Sequence, residues 1–287
     1  MEKFYVSDHE YSLLPEGKKW KLVWNDEFDG TVLDENKWGF RLNYWGERFK
    51  AYTDKGVQLD GKGNIEFFPV LEDGLVKSSQ LQTGVNGWDN LDILGNVKKR
   101  QDFLSGKRDF KEGEDSIKTW PLRPLPKCKF THRYGYYEAR VRFQKYSFWW
   151  SAFWIQSPSI GISAHPEFSG VECDIIEKFK ADELTSGNIY GGYAEQFTES
   201  ARVRYPYQED GEFHRVGVEW SPQGYIFYLD GKETARSSGP VSQIEQFILL
   251  TTEVVGYRSG NVKTYLTEEE RQDKFVCDYV RVFDLES

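Results

Sequence analysis

The sequence has little sulfur and no long apolar run. Of its 287 residues, one is methionine and three are cysteines, an odd number with no Cys-x-x-Cys spacing. This pattern argues against both a disulfide framework and a zinc site, and we predict no metal ligands among the functional residues. No stretch approaches the roughly 18 consecutive apolar residues that a transmembrane helix requires, so we expect no membrane partner.

The sequence also lacks an excess of basic residues. It contains 37 Lys and Arg against 46 Asp and Glu, a formal net charge of −9. An acidic chain is a poor ligand for a phosphate backbone, so we expect no nucleic-acid partner. The first residues, MEKFYVSDHEYSLL, show no basic segment followed by an apolar one. We therefore expect a cytoplasmic chain as it stands, or a secreted or periplasmic one if an export signal has been removed.

Aromatic residues, in contrast, are abundant. Phe, Trp and Tyr make up 16% of the chain, which favours a β protein with many half-buried strands. Stretches such as YGYYEARVRF alternate, with every second residue from Tyr137 to Phe143 apolar, and Asp-Gly pairs such as Asp230-Gly231 predict hairpin turns. Helical periodicity is confined to TEEERQDKF, which predicts one short capped helix. The pattern indicates an all-β sandwich or barrel.

Three segments carry few strand signals: 84–127, 157–170 and 258–274. In a regular β scaffold, loops longer than about 15 residues are usually functional or disordered. We interpret these segments as the walls of a cleft rather than as linkers between domains. We therefore expect one domain over residues 1–287.

One apolar stretch, GVECDIIEKF, contains three acids: Glu172, Asp174 and Glu177. Alternate residues of a strand share a face, so the first two acids point the same way and the third points the other way. A β-bulge at Ile175 or Ile176 adds one residue and returns Glu177 to the face of the other two. We therefore expect a bulged strand with all three acids on one side.

This spacing suits a retaining glycosidase. Four effective steps of roughly 3.3 Å separate the two glutamate Cα atoms by about 13 Å, and inward-leaning side chains reduce the carboxylate separation to about 5 Å. One carboxylate then attacks the anomeric carbon, and the other protonates the leaving oxygen and later activates water. Two other interpretations stay open from the motif alone: surface ion pairs on an exposed face, and a calcium site.

Around this motif the chain resembles glycoside hydrolase family 16. The resemblance is carried in the family's order by five stretches: WKLVWNDEFDGTVLDENKW, YGYYEARVRF, WWSAFW, FHRVGVEWSPQGYIFYLDG and FVCDYVRVF. It implies a β-jelly-roll sandwich of two curved antiparallel sheets with a carbohydrate substrate in the concave cleft. It also implies that Glu172 is the nucleophile, Asp174 the assisting acid and Glu177 the general acid/base.

The resemblance further suggests a substrate class and binding residues. The six-residue form of the motif is similar to that of laminarinases, agarases, porphyranases and carrageenases, which implies a β-1,3-glucan or a β-linked galactan. Trp150 and Trp154 correspond to cleft tryptophans on which a sugar ring stacks, although plain core aromatics are an alternative. Asn43 matches an asparagine that binds a donor-side sugar. After the catalytic strand, many relatives have a histidine near the cleavage point. In this chain the candidate substrate-binding residue at that position is Tyr190, or the histidine has no equivalent.

The resemblance leaves further expectations. No cofactor is required, although some relatives carry a structural calcium, for which Asp278 is a candidate ligand. We expect a monomer. The long segments 84–127 and 157–170 could cover one cleft end and limit the enzyme to chain ends or short oligosaccharides. The alternatives to hydrolysis are transglycosylation by the same residues and a carbohydrate-binding protein without catalysis.

Overall fold

The computed structural model describes residues 1–44, 47–89, 126–160, 165–192 and 196–286. Most of the predicted long loop at 84–127 and part of the one at 157–170 lie outside these ranges. The expectation that they cover one end of a cleft therefore stays a prediction.

Short and long strands alternate with turns over nearly all of the described chain. They are β1 (Glu2–Phe4), β2 (Ser12–Leu14), β3 (Trp20–Asp26), β4 (Gly39–Phe40), β5 (Asn43–Tyr44), β6 (Glu47–Arg48), β7 (Val57–Leu59), β8 (Ile65–Phe67), β9 (Val70–Glu72), β10 (Leu75–Lys77), β11 (Gln80–Gln82), β12 (Gly135–Arg142), β13 (Trp149–Gln156), β14 (Glu172–Lys180), β15 (Glu183–Gly192), β16 (Gln196–Pro206), β17 (His214–Ser221), β18 (Gly224–Leu229), β19 (Lys232–Ser237), β20 (Phe247–Val254) and β21 (Phe275–Leu285). The helical turns are a 3-10 helix at Gly87–Asp89, α1 (Pro166–Ser169) and α2 (Glu268–Arg271).

Two large sheets contain most of these strands. One has seven strands in the order β16-β15-β14-β13-β20-β11-β4, and the other has eight in the order β19-β18-β17-β12-β21-β8-β7, with β3 also paired to β21. The pairings within both sheets are antiparallel. The predicted all-β jelly-roll sandwich is confirmed. The alternative of a barrel is wrong, because the strands form two separate open sheets.

The main core lies between the two sheets. Each sheet contributes alternate residues of its strands, among them Val141 from β12 and Phe153 from β13. The apolar side predicted for YGYYEARVRF, from Tyr137 to Phe143, belongs to this core. The other side of β12 is buried as well, since Tyr136 packs with Leu14 of the N-terminal hairpin β1–β2.

Local signals in the sequence correctly predicted several turns and one helix. Asp230 and Gly231 both have positive φ, of 48° and 75°, in the turn between β18 and β19, as a tight hairpin requires. In α2, the Thr267 side chain accepts from the Glu270 backbone N–H while the Glu270 side chain accepts from the Thr267 N–H. This capping box confirms the predicted short helix. Among the described helices, none has the length and apolar character needed to span a membrane.

Candidate active site

Strand β14 contains the predicted bulge. Asp174 pairs with Trp154 and Ile176 pairs with Phe153, so Ile175 has no partner of its own on β13. The pairing of β14 with β15 shifts at the same place. Both isoleucines belong to the core between the sheets, and the three acids lie on the opposite face of the seven-stranded sheet. The expectation of a bulged strand with all acids on one side is confirmed.

Glu172 is held by a glutamine from the neighbouring strand. The side-chain Nε2 of Gln156, the last residue of β13, donates to Glu172 Oε2 at 2.7 Å. The Asn86 amide donates in turn to Gln156 Oε1, which fixes the orientation of the glutamine amide. Both amide residues are fully buried. Neither was predicted from the sequence, because only the pairing of distant segments brings them to Glu172.

Glu177 is buried and approached by a hydroxyl and a cation. Thr185 Oγ1 lies 3.4 Å from Glu177 Oε2, and Arg202 Nη2 lies 3.6 Å from the same oxygen. Burial raises the pKa of Glu177 to about 7; Arg202 acts against this shift, and the nearby charge of Glu172 adds to it. A carboxyl group with a pKa near neutrality can both donate and accept a proton at physiological pH.

Asp174 lies between the two glutamates on the same face of β14 and is buried. It pairs with Trp154 on one side and with Gly187 on the other. Since Gly187 has no side chain, no residue of β15 projects over Asp174 at this point. Three buried acids on one sheet face require hydrogen-bond or charge partners, or a shared proton, because isolated carboxylates are costly away from water and like charges repel.

The two predicted cleft tryptophans lie on the same face as the acids but differ in exposure. Trp154 is only 7% exposed. Its Nε1 donates to Thr251 Oγ1 at 2.9 Å, and it packs in a small cluster with Ala152, Phe247 and Leu249. Trp154 therefore matches the core-aromatic alternative more closely than an open stacking surface. Trp150 is half-buried beside Phe179, with ring centroids 5.1 Å apart.

An anchored arginine covers part of Trp150. The Arg258 guanidinium lies 5.4 Å from the Trp150 ring centroid and donates to both carboxylate oxygens of Glu253 at 2.9 Å. Tyr52 Oη also donates to Glu253, at 2.6 Å. The buried Glu253 carboxylate is therefore fixed by Tyr52 and in turn fixes the Arg258 guanidinium. The sequence did not indicate this group, whose Arg258 charge lies near enough to Glu177 to lower the pKa of that acid.

Asn43 lies near a second ion pair, between Arg41 and Asp89, on the sheet face that carries the acids. Its Nδ2 donates to the backbone oxygen of Asp89 at 3.0 Å. The Asp89 carboxylate accepts from Arg41 Nε at 2.8 Å and from Nη2 at 3.2 Å. The Arg41 guanidinium lies 5.5 Å from the Trp154 ring centroid. The predicted sugar-binding role of Asn43 is compatible with this position and stays a prediction.

Tyr190 lies on the wrong side of the sheet for the predicted role. Glu172 pairs with Ile189, so the next residue, Tyr190, points to the opposite face, where it packs against the core. This placement corrects the expectation that Tyr190 binds substrate in the cleft. Cys173 also lies on the core side of the sheet, where it packs as a small apolar side chain.

Asp278, the candidate calcium ligand, is engaged in an ion pair. Its Oδ2 accepts from Arg140 Nη1 at 2.6 Å. Within the described ranges, no group of three His, Cys, Asp or Glu side chains has an arrangement suited to a metal ion. The structural calcium stays a prediction.

Comparison with known proteins gives a family and several relatives. Residues 118–269 match the sequence model of glycosyl hydrolases family 16. The chain is 25% identical over 290 residues to glucan endo-1,3-beta-glucosidase A1 of Niallia circulans, covering 91% of this chain and 37% of that protein. It is 24% identical over 298 residues to endo-1,3-1,4-beta-glycanase ExsH of Rhizobium meliloti (strain 1021), covering 97% and 55%. The chain thus spans only part of the length of both relatives.

Solved structures share the fold. The catalytic domain of an endo-1,3-beta-glucanase (laminarinase) from Thermotoga petrophila RKU-1 matches with a TM-score of 0.62 and 19% identity, over 94% of this chain and 100% of that one. Porphyranase B from Zobellia galactanivorans matches with a TM-score of 0.60 and 17% identity, over 99% and 98%. At these identities the comparison supports the architecture alone.

Proposed function

Because this chain belongs to glycosyl hydrolases family 16, we propose that it is a retaining glycoside hydrolase that cleaves internal β-linkages of a glycan. The observation that carries the proposal is the bulge of β14, which puts Glu172, Asp174 and Glu177 on one face. This arrangement provides a nucleophile and an acid/base on the same side of a bound sugar chain, as double displacement requires.

In the first step, a Glu172 oxygen attacks the anomeric carbon while Glu177 gives its proton to the departing glycosidic oxygen. The bond between that carbon and the leaving sugar breaks, and a covalent glycosyl ester forms on Glu172. The Gln156 amide donates a hydrogen bond to Glu172 Oε2. This bond orients the carboxylate so that its other oxygen can attack. Asp174 is proposed to share a hydrogen bond or a proton with the nucleophile.

In the second step, Glu177 accepts a proton from water, whose oxygen attacks the same carbon and releases Glu172. The one residue must therefore donate and later accept a proton. Its pKa, raised by burial to about 7, supports both roles at neutral pH.

The substrate is proposed to be a β-1,3-glucan or a β-linked galactan. The names of two relatives support the first of these classes: they are described as a glucan endo-1,3-beta-glucosidase and an endo-1,3-1,4-beta-glycanase. A screen on laminarin, lichenan, agarose, porphyran and carrageenan selects between the two classes. Products that are all shorter than the substrate indicate hydrolysis, whereas longer ones indicate transglycosylation.

Substitution of the two glutamates tests the mechanism. We expect Glu172→Gln to lower turnover about a thousandfold or more, because no covalent intermediate can form. Glu177→Gln should reduce glycan cleavage strongly, yet affect the first step much less with a dinitrophenyl glycoside, whose leaving group needs no proton. Initial rates and circular dichroism measure both effects.

The matched control is Glu183→Gln on β15, since Glu183 pairs with Lys180 at the hairpin end rather than with the acid face. It should retain wild-type rates. Substantial turnover by folded Glu172→Gln would contradict the proposed nucleophile. If neither the wild type nor any variant cleaves any of these glycans, the result would instead favour a non-catalytic carbohydrate-binding protein.

A further inference from the structure

Arg202 approaches the Glu177 carboxylate from two strands away. Its Nη2 lies 3.6 Å from Glu177 Oε2, the oxygen that the Thr185 hydroxyl also approaches. The arginine side chain is 22% exposed and that of Glu177 is 12% exposed, so the charges face each other with little intervening solvent. A charge pair at this distance and burial is weakly screened.

A second irregularity in the sheet brings Arg202 into this position. Strand β15 separates Arg202 from β14, and the pairing of β15 with β16 shifts between Ser186 and Asn188. Gly187 lies at this shift, and a Cβ built on it would lie only 2.9 Å from the Arg202 Cα. Any larger residue at 187 would therefore push β16 outward. The glycine permits the close approach by which Arg202 reaches across β15.

Other charged groups near Glu177 either raise its pKa or lower it less than Arg202 does. Glu172 and Asp174 share its strand and face, and Glu172 raises the pKa of Glu177. Arg258, from the loop after β20, lowers that pKa less than Arg202 does, and Glu253 holds it in a bidentate pair. Arg202 is thus the main positive influence opposing the effect of burial on Glu177.

We propose that Arg202 is a positioning residue for Glu177: it holds the carboxylate in place and stabilises its charged form for the second step of the reaction. The inference rests on the proposed function, in which Glu177 accepts a proton from water as the bond between the sugar and Glu172 breaks. Arg202 favours the anion that this step needs. It does not contact the reacting carbon.

Direct titration of Glu177 tests the coupling without any substrate. Full-length protein carrying ¹³C-labelled glutamate is titrated by NMR, and the Glu177 carboxyl signal is identified by its loss in Glu177→Gln. We expect Arg202→Gln to raise the Glu177 midpoint by about one pH unit or more, because an opposite charge at this distance lowers a carboxyl pKa by about that amount. Arg202→Lys, which keeps the charge, should restore most of the shift.

The matched control is Arg204→Gln. Arg204 lies two residues further along the same strand and pairs with Thr185, but it is exposed and is not among the main influences on the pKa of Glu177. We expect its removal to leave the Glu177 midpoint in place. Circular dichroism and thermal unfolding of all three variants separate loss of charge from loss of structure.

Kinetics then test the role in the second step. The probe is the dinitrophenyl β-glycoside of the shortest oligosaccharide that the wild type hydrolyses, for which the second step limits turnover. In the glycosyl-enzyme, Glu172 is an ester and no longer raises the pKa of Glu177, so the kcat profile has its own acid limb. A one-unit rise of that limb lowers kcat by up to about tenfold at pH values below it. We therefore expect kcat and KM to fall together there, with kcat/KM nearly unchanged and the kcat profile displaced to higher pH.

An unmoved Glu177 midpoint in folded Arg202→Gln overturns the proposal, and so does an equal fall of kcat/KM and kcat with no displacement of the pH profile. Either result leaves the proposed glycosidase activity of the wild type intact. Conversely, a wild type that cleaves no glycan overturns the proposed function, whatever the NMR midpoint.

Discussion

Gln156 shows how one residue orients the proposed nucleophile. It donates to Glu172 Oε2 at 2.7 Å, and the Asn86 amide fixes which end of the Gln156 side chain faces the acid. An amide donor at this position stabilises a carboxylate and removes one of its rotational freedoms. The hydrogen bond therefore compensates in part for the burial of Glu172 and fixes the direction of its carboxylate.

At this scale we predict the effect of Gln156→Glu. The change keeps the size of the side chain but places a second carboxyl group within hydrogen-bond distance of Glu172, so that the two groups share a proton. We expect kcat/KM at neutral pH to fall at least about tenfold and its acid limb to move to higher pH. Gln223→Glu, in the exposed turn between β17 and β18, is the control. An unmoved acid limb in the first variant would show that Gln156 does not act on the nucleophile.

At the scale of an element, the bulge of β14 determines which face each acid occupies. Ile175 is the extra residue, because Asp174 and Ile176 pair with the consecutive residues Trp154 and Phe153. Without Ile175 the two glutamates would be four residues apart in a regular strand, and four is an even number of steps. The acids would still share a face.

Two deletions from this strand should therefore behave differently. Deleting Ile175 costs a core side chain, a loss of about 2–5 kcal/mol in the free energy of unfolding, but keeps the acids together, so we expect weakened but measurable hydrolysis. Deleting Cys173 should turn Glu172 into the core, which abolishes activity and destabilises the fold more, because a carboxylate is buried without a partner. Glycan hydrolysis and urea unfolding measure both. Equal loss of activity in both deletion variants would argue against this account of the strand.

At the scale of the whole molecule, a buried ion pair joins the N-terminal region to the eight-stranded sheet. Arg281 of β21 is fully buried and donates to both oxygens of Glu27, at 2.9 and 2.7 Å. Its Nη1 also donates to Ser12 Oγ of β2 at 2.9 Å. These contacts connect two N-terminal segments to the last strand of the chain, on the sheet that does not carry the acids.

We predict that Arg281→Met lowers the free energy of unfolding by about 3–5 kcal/mol, because it leaves the Glu27 carboxylate buried without its main partner. The double variant Arg281→Met/Glu27→Leu should recover a large part of this loss, since both charges are then absent. Urea unfolding measures the two values. Hydrolysis by the folded fraction should be unchanged in each, and a double variant no more stable than the single one would contradict the argument.

The sequence by itself determined the features that depend on local periodicity. The two-residue repeat of strands and the Asp-Gly turns gave the all-β architecture, and the odd spacing of Glu172 and Glu177 required the bulge that β14 contains. The acids were found because charged residues in an apolar strand are costly unless they have a function.

Only the tertiary structure decided which side chains from other segments meet these acids. Tyr190 faces the core because the register of β15 against β14 pairs Ile189 with Glu172, and a shift of one residue would have reversed this. Gln156 and Arg202 reach the two glutamates through strand pairing and, for Arg202, an extra residue in β16 opposite Gly187. Such contacts follow from the pairing register between segments, and no spacing within a single stretch of sequence encodes it.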